Sequence, residues 1–308
     1  MLEILPQIFQ LLDEPLADPS IIPTYLLSQF TRQYVAVALG GDGGDELFAG
    51  YPTFQAHLLA DFYLHLPKIL RHSFLEPLAK KLPVSHANIS FDFKVKRFLR
   101  GVYHNPYIRQ QIWLGAFTPS ELQCLLLPEI QRECELSSIY FPLERYLKDL
   151  KGTPLENILY LYSKLYLQDD ILVKVDRASM AHSLEARAPF LDFELVEFIQ
   201  RIPMKWKLHG LTTKYLLKRI LRNKLPHSIL QRPKKGFGIP VAQWLRSDLK
   251  PLIAELFSQK RIEKEGLFSY PYIKSLIQEH LNGQKNHRKQ IWALCAFEMW
   301  RQHYGPKF

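Results

Sequence analysis

The sequence predicts an α/β fold with very little sheet and a mostly helical remainder. Two observations carry that expectation. A short apolar, β-branched run, Tyr34–Leu39 (YVAVAL), leads into the glycine-rich turn GGDGGDE and then into helix-forming sequence. That is the strand–turn–helix order of an α/β unit. The rest of the chain offers few other convincing strands, so the sheet is expected to be partial.

The elements follow in order. Pro15, Pro19 and Pro23 space out the entry, and DEPLADPSIIPTYLLSQF reads as a loop followed by a helix from about Ile22. The uninterrupted apolar character of Tyr34–Leu39 predicts a buried parallel strand. A helix is expected from about Asp45, and residues 55 to 150 read as helical and irregular. TPLENILYLYSKLYL opens with a capping box, Thr153 as N-cap, Pro154 at N1 and Glu156 at N3. Its Leu155, Ile158, Leu159, Tyr162, Leu165 and Tyr166 make an apolar helical stripe. ILVKVDRASMAH continues as a second helical segment, in which Asp170 and Lys174 are spaced for an i,i+4 pair and His182 is a packed helix residue. SLEARAPFLD reads as a loop, because Pro189 disfavours helix at Ala188. Asp192 is placed to cap a helix running to Arg201. TTKYLLKRILRNKL reads as a basic amphipathic helix, QRPKKGFGIP as a basic glycine loop, and two or three helices finish the chain.

At 308 residues, 47% hydrophobic and 23% charged, the chain has the composition of a globular protein with a sizeable core. No apolar run has the length of a membrane span, and the first residues show neither a basic n-region nor a small-residue cleavage site. Cys124, Cys134 and Cys295 show no CxxC spacing, which argues against a disulfide framework or a zinc site and for a reducing cytoplasm. The net charge of +10 implies an anionic partner, and Lys205 to Lys235 holds ten Lys or Arg with no Asp or Glu. Nucleic acid, a membrane surface and a nucleotide would each fit such a segment; no RNP, KH or zinc-finger pattern accompanies it, and the expected partner is neither nucleic acid nor a membrane.

Glycine turns after an apolar strand usually hold phosphate through backbone N–H groups and a helix N-terminus. This turn carries Asp42, Asp45 and Glu46, which a phosphate would repel. Mg²⁺ reconciles the two, since it is often held by one or two carboxylates together with substrate phosphates. Asp42 and Asp45, three residues apart at a tight turn, can face one site, while Gly40, Gly41, Gly43 and Gly44 let the backbone approach a nucleotide. The plainer alternative is that Asp42 or Asp45 caps the following helix. The turn is not a Walker A loop, for no Gly-Lys-Ser/Thr follows, and Glu46 occupies the place of the third glycine of a dinucleotide fingerprint.

Five blocks resemble, in order and spacing, the synthetase domain of glutamine-hydrolysing asparagine synthetases: LDEPLADPSIIPTYLLSQF, VALGGDGGDELFAGY, LVKVDRASMAHSLEARAPFLD, TKYLLKRIL and QRPKKGFGIPVAQWL. The resemblance covers about residues 10 to 300 and implies that residues 1–308 form one ATP-dependent synthetase domain. It implies a partial adenine-nucleotide α-hydrolase-like parallel sheet and a cytoplasmic location. It further implies a carbon–nitrogen ligase that uses ATP and Mg²⁺ to convert the side-chain carboxylate of aspartate to β-aspartyl-AMP, with release of pyrophosphate, before ammonia attacks. The physical need is a better leaving group than oxide, with two anions held together and the developing charge neutralised.

By position, the resemblance gives Gly40, Gly41 and Gly43 to ATP, Asp42 to formation of the acyl-adenylate, and Asp45 to Mg²⁺ on the pyrophosphate. Lys234 takes the role of the phosphate-contacting lysine that stabilises the adenylation transition state, with Lys235 its competitor. Asp176, Arg177, Glu185 and Arg187 match the family's aspartate-side and structural framework, Glu185 and Arg187 as a buried ion pair shaping the site, with or without direct substrate contact. The helix around Lys214 and Lys218 divides between a solvated face and phosphate-side electrostatics.

The departures are equally informative. Gly40 stands where family members usually have Ser, which removes a hydrogen bond worth about 1 kcal/mol, and Ala49 where they usually have Gly. The family's pyrophosphate loop, Ser-Gly-Gly-x-Asp-Ser, is not found, and residue 2 is Leu where a glutaminase domain has its nucleophilic Cys. Ammonia is therefore expected from a glutaminase domain on another chain, and hetero- or homo-oligomers are anticipated at the truncated sheet edge. The alternatives are a non-catalytic remnant or binding subunit, and a relative acting on another carboxylate, of β-lactam synthetase or peptide-cyclase type.

Overall fold

The computed structural model describes residues 2–87, 90–134, 139–232, 234 and 236–305, so the expectation for Lys235 lies outside the described residues. Helices make up most of the fold. Strand β1 (Val37–Leu39) pairs in parallel with β2 (Glu185–Arg187), Val37 opposite Glu185 and Leu39 opposite Arg187. The expected α/β character is present, with two differences. The segment read as a loop, SLEARAPFLD, supplies β2: Glu-Ala-Arg has no apolar alternation, and its extended form is set by pairing with β1 rather than by composition. The expected burial of Tyr34–Leu39 is not found. Val37 and Leu39 are exposed, because β2 is the only strand beside them among the described residues.

The main core joins the two ends of the chain. Ile8 and Phe9 of the helix Leu5–Gln10 pack with Ile291, Trp292 and Ala296 of the helix Arg288–Tyr304, and the Phe9 and Trp292 rings lie 6.3 Å apart. Ile21 and Ile22 of the helix Ile21–Arg32 join the same cluster. A second cluster, Ala49, Phe54, Ile158, Leu159, Tyr162, Met204 and Leu208, lies beside the glycine turn. Leu47, Phe48 and Ile199 form a third, so the turn is anchored by apolar residues just C-terminal to it.

The capping box at Thr153 is realised: its hydroxyl accepts from Glu156 N, and the Glu156 carboxylate accepts from Thr153 N at 2.9 Å. The helix Pro154–Leu161 then widens into a π-helical stretch, Tyr162–Leu172, before returning to α-helix at Val173–Met180. Such widening recurs at functional sites. Here it sets Tyr162 and Tyr166 against Tyr51, with ring centroids 5.0 and 5.6 Å from it. Asp192 caps the helix Phe193–Gln200, accepting from Leu195 N at 3.1 Å, and the His182 ring packs 4.3 Å from Tyr25.

The expected Asp170–Lys174 pair gives way to a longer-range one: Lys174 Nζ lies 2.6 Å from Asp18 Oδ2. The basic amphipathic helix is shorter than its sequence pattern, Tyr215–Ile220, and starts from Lys214 in a left-handed conformation. Five helices follow the basic glycine loop among the described residues, Val241–Trp244, Lys250–Leu256, Gln259–Glu265, Tyr270–Leu281 and Arg288–Tyr304, where two or three were expected. No helix among the described residues is long and apolar enough to cross a membrane.

Candidate functional site

The β1–β2 ladder runs straight into the glycine turn, Gly40 N donating to Arg187 O at 2.7 Å. Gly43 then takes φ +86, a backbone state that a side chain disfavours. A Cβ on it would also lie 2.3 Å from a Leu191 methyl, so Gly43 packs under the Pro189–Leu191 turn. Gly41 faces open space instead. The glycines expected to share one role are thus divided: Gly41 is open, Gly40 lies against the Asp42 carboxylate, where a Cβ would be 2.8 Å from Oδ2, and Gly43 makes the bend. The helix that follows is a single turn, Gly44–Leu47.

Asp45 is buried in that turn and is the electrostatic centre of the site. Lys214 Nζ lies 2.8 Å from its Oδ1 and Lys234 Nζ 2.5 Å from its Oδ2. Burial raises the carboxyl pKa, but the two lysines more than offset this, and the net value falls below the usual aspartate range. Lys234 also lies over the Tyr51 ring, 5.6 Å from its centroid. Glu46 is buried beside it and accepts from the Tyr51 hydroxyl. Burial pushes the Glu46 carboxyl up, against the pull of that hydrogen bond. The same burial and the Glu46 charge push the Tyr51 hydroxyl far up, so it stays protonated as a donor. Asp42 is half-buried and makes no ion pair among the described residues.

A cleft of about 560 Å³ opens beside Asp45, lined by Gly50, Lys214, Lys218, Leu221, Arg232 and Lys234 among others. Its lining combines cationic side chains with apolar ones, Leu217, Leu225 and Ile229 among them, which suits a polyanion joined to a less polar body. No group of three or more His, Cys, Asp or Glu converges to hold a metal among the described residues. One buried carboxylate flanked by lysines fits a divalent cation that arrives with phosphate ligands of its own, not a metal held by protein alone.

The remaining expected residues lie apart from this centre. Glu185 and Arg187 do pair, at 2.7 Å, but both are exposed on β2, so the expectation of a buried pair is corrected. Open β2 faces leave them to solvent, where such a pair contributes little. Arg177 meets Asp13 at 2.7 Å and Asp176 at 3.7 Å, tying the helix Val173–Met180 to the chain entry.

Three features escaped the sequence reading. Lys214 was expected to share a general basic face, yet it is a direct partner of Asp45. Gly50 permits this contact: a Cβ there would lie 1.9 Å from Asp45 Oδ1 and 2.3 Å from Lys214 Cε. The tyrosine triplet Tyr51, Tyr162 and Tyr166 backs Glu46. The available signal was the i,i+4 recurrence of tyrosine in LYLYSKLYL, which reads equally as core.

Residues 1–302 match the family profile described as asparagine synthase. A Mycobacterium tuberculosis protein named putative asparagine synthetase (glutamine-hydrolysing) is 31% identical over 96% of this chain and 44% of its own length. Asparagine synthetase (glutamine-hydrolysing) 1 of Bacillus subtilis is 27% identical over 96% of this chain and 45% of its own. A Penicillium rubens protein named amidase chyE is 24% identical over 82% of this chain. The chain spans less than half the length of the two synthetases that it matches. On the family match over nearly its whole length, the chain belongs to the asparagine synthase family.

Proposed function

We infer that this chain supplies the phosphate-facing part of an ATP-dependent amide ligase of asparagine synthetase type. In this reading the side-chain carboxylate of aspartate is activated as β-aspartyl-AMP, pyrophosphate leaves, and ammonia delivered by a glutaminase domain outside the span yields asparagine. The observation that carries it is the Asp45 carboxylate held between Lys214 and Lys234, two lysines that line the cationic cleft. Transfer of an adenylyl group builds negative charge on the departing pyrophosphate, and lysines preplaced in a partly buried site can neutralise it. Asp45 would hold Mg²⁺ brought in on the phosphates, the cation supplying charge neutralisation when bound. Released from Asp45, Lys234 and Lys214 would turn to phosphate oxygens. Gly40 and Gly41 would take the nucleotide at the open end of β1, and Asp42, without an ion pair among the described residues, would face the reacting phosphate.

The test is aspartate-dependent exchange of labelled pyrophosphate into ATP, in the fullest assembly that can be purified. Lys234→Ala and Asp45→Asn should each lower exchange by about 10²-fold or more, the usual cost of removing a transition-state contact. Full exchange by Lys234→Ala would refute the role given to that lysine. Exchange driven by a different carboxylic acid, but not by aspartate, would replace the substrate assignment.

A further inference from the structure

Lys234 has two supports among the described residues. One is the Asp45 carboxylate, 2.5 Å from its Nζ, and the other is the Tyr51 ring, whose centroid lies 5.6 Å away. They differ in kind. A cation arriving at Asp45 competes with the lysine for the carboxylate. An aromatic face attracts the ammonium without neutralising its charge, and so leaves it able to meet a phosphate. The ring therefore keeps the lysine at the site in any state that occupies Asp45, provided the ring itself is held.

Tyr162 holds it. The two rings stack with centroids 5.0 Å apart and planes 14° from parallel, and Tyr162 is only 2% exposed. The Tyr162 hydroxyl is hydrogen-bonded to Thr53 Oγ1, and Thr53 stands just beyond Tyr51 at the start of the helix Pro52–His65. Stack and hydrogen bond thus close a loop of contacts through Tyr51, Thr53 and Tyr162, and tilting the Tyr51 ring breaks one of them. One turn further along the same helix, His57 Nε2 lies 2.9 Å from Gln110 Oε1 of the helix Pro106–Leu114, with both side chains buried. That contact fixes the helix that carries Thr53. A buried tyrosine needs only some partner for its hydroxyl; here the partner is the residue that leads back to Tyr51. Tyr162 also opens the π-helical stretch, the local widening that turns its ring toward Tyr51.

We propose that Tyr162 is a positioning residue for Lys234: fixed by Thr53, it sets the Tyr51 ring that carries the lysine ammonium. The proposal rests on the reading of this centre as the phosphate-facing part of a ligase, and adds to it a residue that touches no substrate.

The full chain is compared with three variants. Tyr162→Phe and Thr53→Val each remove one hydroxyl and leave the shape of the core, while Tyr162→Leu also removes the stacked ring. The first measurement needs no activity. It is the rate at which acetic anhydride acylates Lys234 relative to Lys214, followed by peptide mass spectrometry. Lys214 shares Asp45 but lies over no aromatic ring among the described residues, so it is the internal reference. Tyr162→Leu should raise the Lys234-to-Lys214 ratio about tenfold, and the two hydroxyl variants about threefold. The second measurement is aspartate-dependent pyrophosphate exchange in the fullest assembly that can be purified. The variants should lose kcat by about the same factors with KM for ATP unchanged, as expected for a contact made in the transition state. An unchanged labelling ratio in Tyr162→Leu or, if that variant does not fold, in both hydroxyl variants overturns the proposal. Exchange that falls through KM alone, or does not fall, overturns it as well. If the wild-type assembly shows no aspartate-dependent exchange, the ligase reading fails, and the labelling ratio alone decides whether Tyr162 sets Lys234.

Discussion

Gly50→Ala tests the geometry of the charged centre without touching a charge. The added Cβ would lie 1.9 Å from Asp45 Oδ1 and 2.3 Å from Lys214 Cε, so each must retreat by roughly 1 Å to reach a tolerable contact. The lysine stem can swing. Asp45 is held harder: it is buried, and its own carbonyl accepts from Gly50 N at 2.8 Å. The 2.8 Å Asp45–Lys214 contact is therefore the part that gives way. Overpacking alone costs about 1–3 kcal/mol. The ion pair adds little, because the lysine is partly exposed and its charge is screened. A total near 2 kcal/mol corresponds to a fall of about 4 °C in the melting temperature of a chain this size. Thermal unfolding of Gly50→Ala, Lys214→Ala and the double variant forms a cycle. With the lysine stem gone, Asp45 has room to move, so the Gly50→Ala cost should shrink by at least about 1 kcal/mol. An unchanged melting temperature for Gly50→Ala, or the same cost in both backgrounds, would refute the packing of Gly50 between these side chains.

Ala49 sits at φ 52 with its methyl fully buried against the Phe54–Tyr162 cluster. Ala49→Gly relieves left-handed strain of about 1 kcal/mol but loses a methyl and gains unfolded-state freedom, each of similar size. The melting temperature should stay level or fall by about 1–2 °C; a clear rise would show that the methyl contributes nothing. Lys174→Met leaves Asp18 buried without its cation and should cost about 3 kcal/mol at pH 7. Burial raises the Asp18 carboxyl, but Lys174 and Ser20 pull it further down, so the net value is lowered. A lowered carboxyl contributes its full stability above its unfolded value, near pH 4, and loses it as pH falls through the folded value. The Lys174→Met deficit should therefore shrink in acid-titrated denaturant melts, and an equal deficit at pH 7 and pH 3 would contradict that account.

What the sequence makes legible here is whatever is encoded within a few residues. The Thr153–Glu156 box, the Asp192 cap and the bend at the glycine turn all depend on local side chain-to-backbone hydrogen bonds or on a single backbone state, and each is found where its spacing indicates. Strand β2 carries no such local code. Glu185–Arg187 is extended because Val37–Leu39 lies beside it, and a partner far away in the chain cannot be read from three residues. The apolar run at Tyr34–Leu39 does encode a strand, but with one neighbouring strand among the described residues Val37 and Leu39 are exposed where the run predicts burial. Lys214 belongs to the same class of long-range fact. Its sequence neighbourhood is a basic helix, and its contact with Asp45 depends on a left-handed backbone at Lys214 and on the absence of a side chain at Gly50, neither of which residue type alone dictates. Carboxylates in a phosphate-type turn were first reconciled through a bridging cation. The structure adds a second solution that needs no ligand, for Asp45 is already neutralised by two lysines. The Asp45 carboxylate and the two lysines are therefore one cluster of charges and not separate sites.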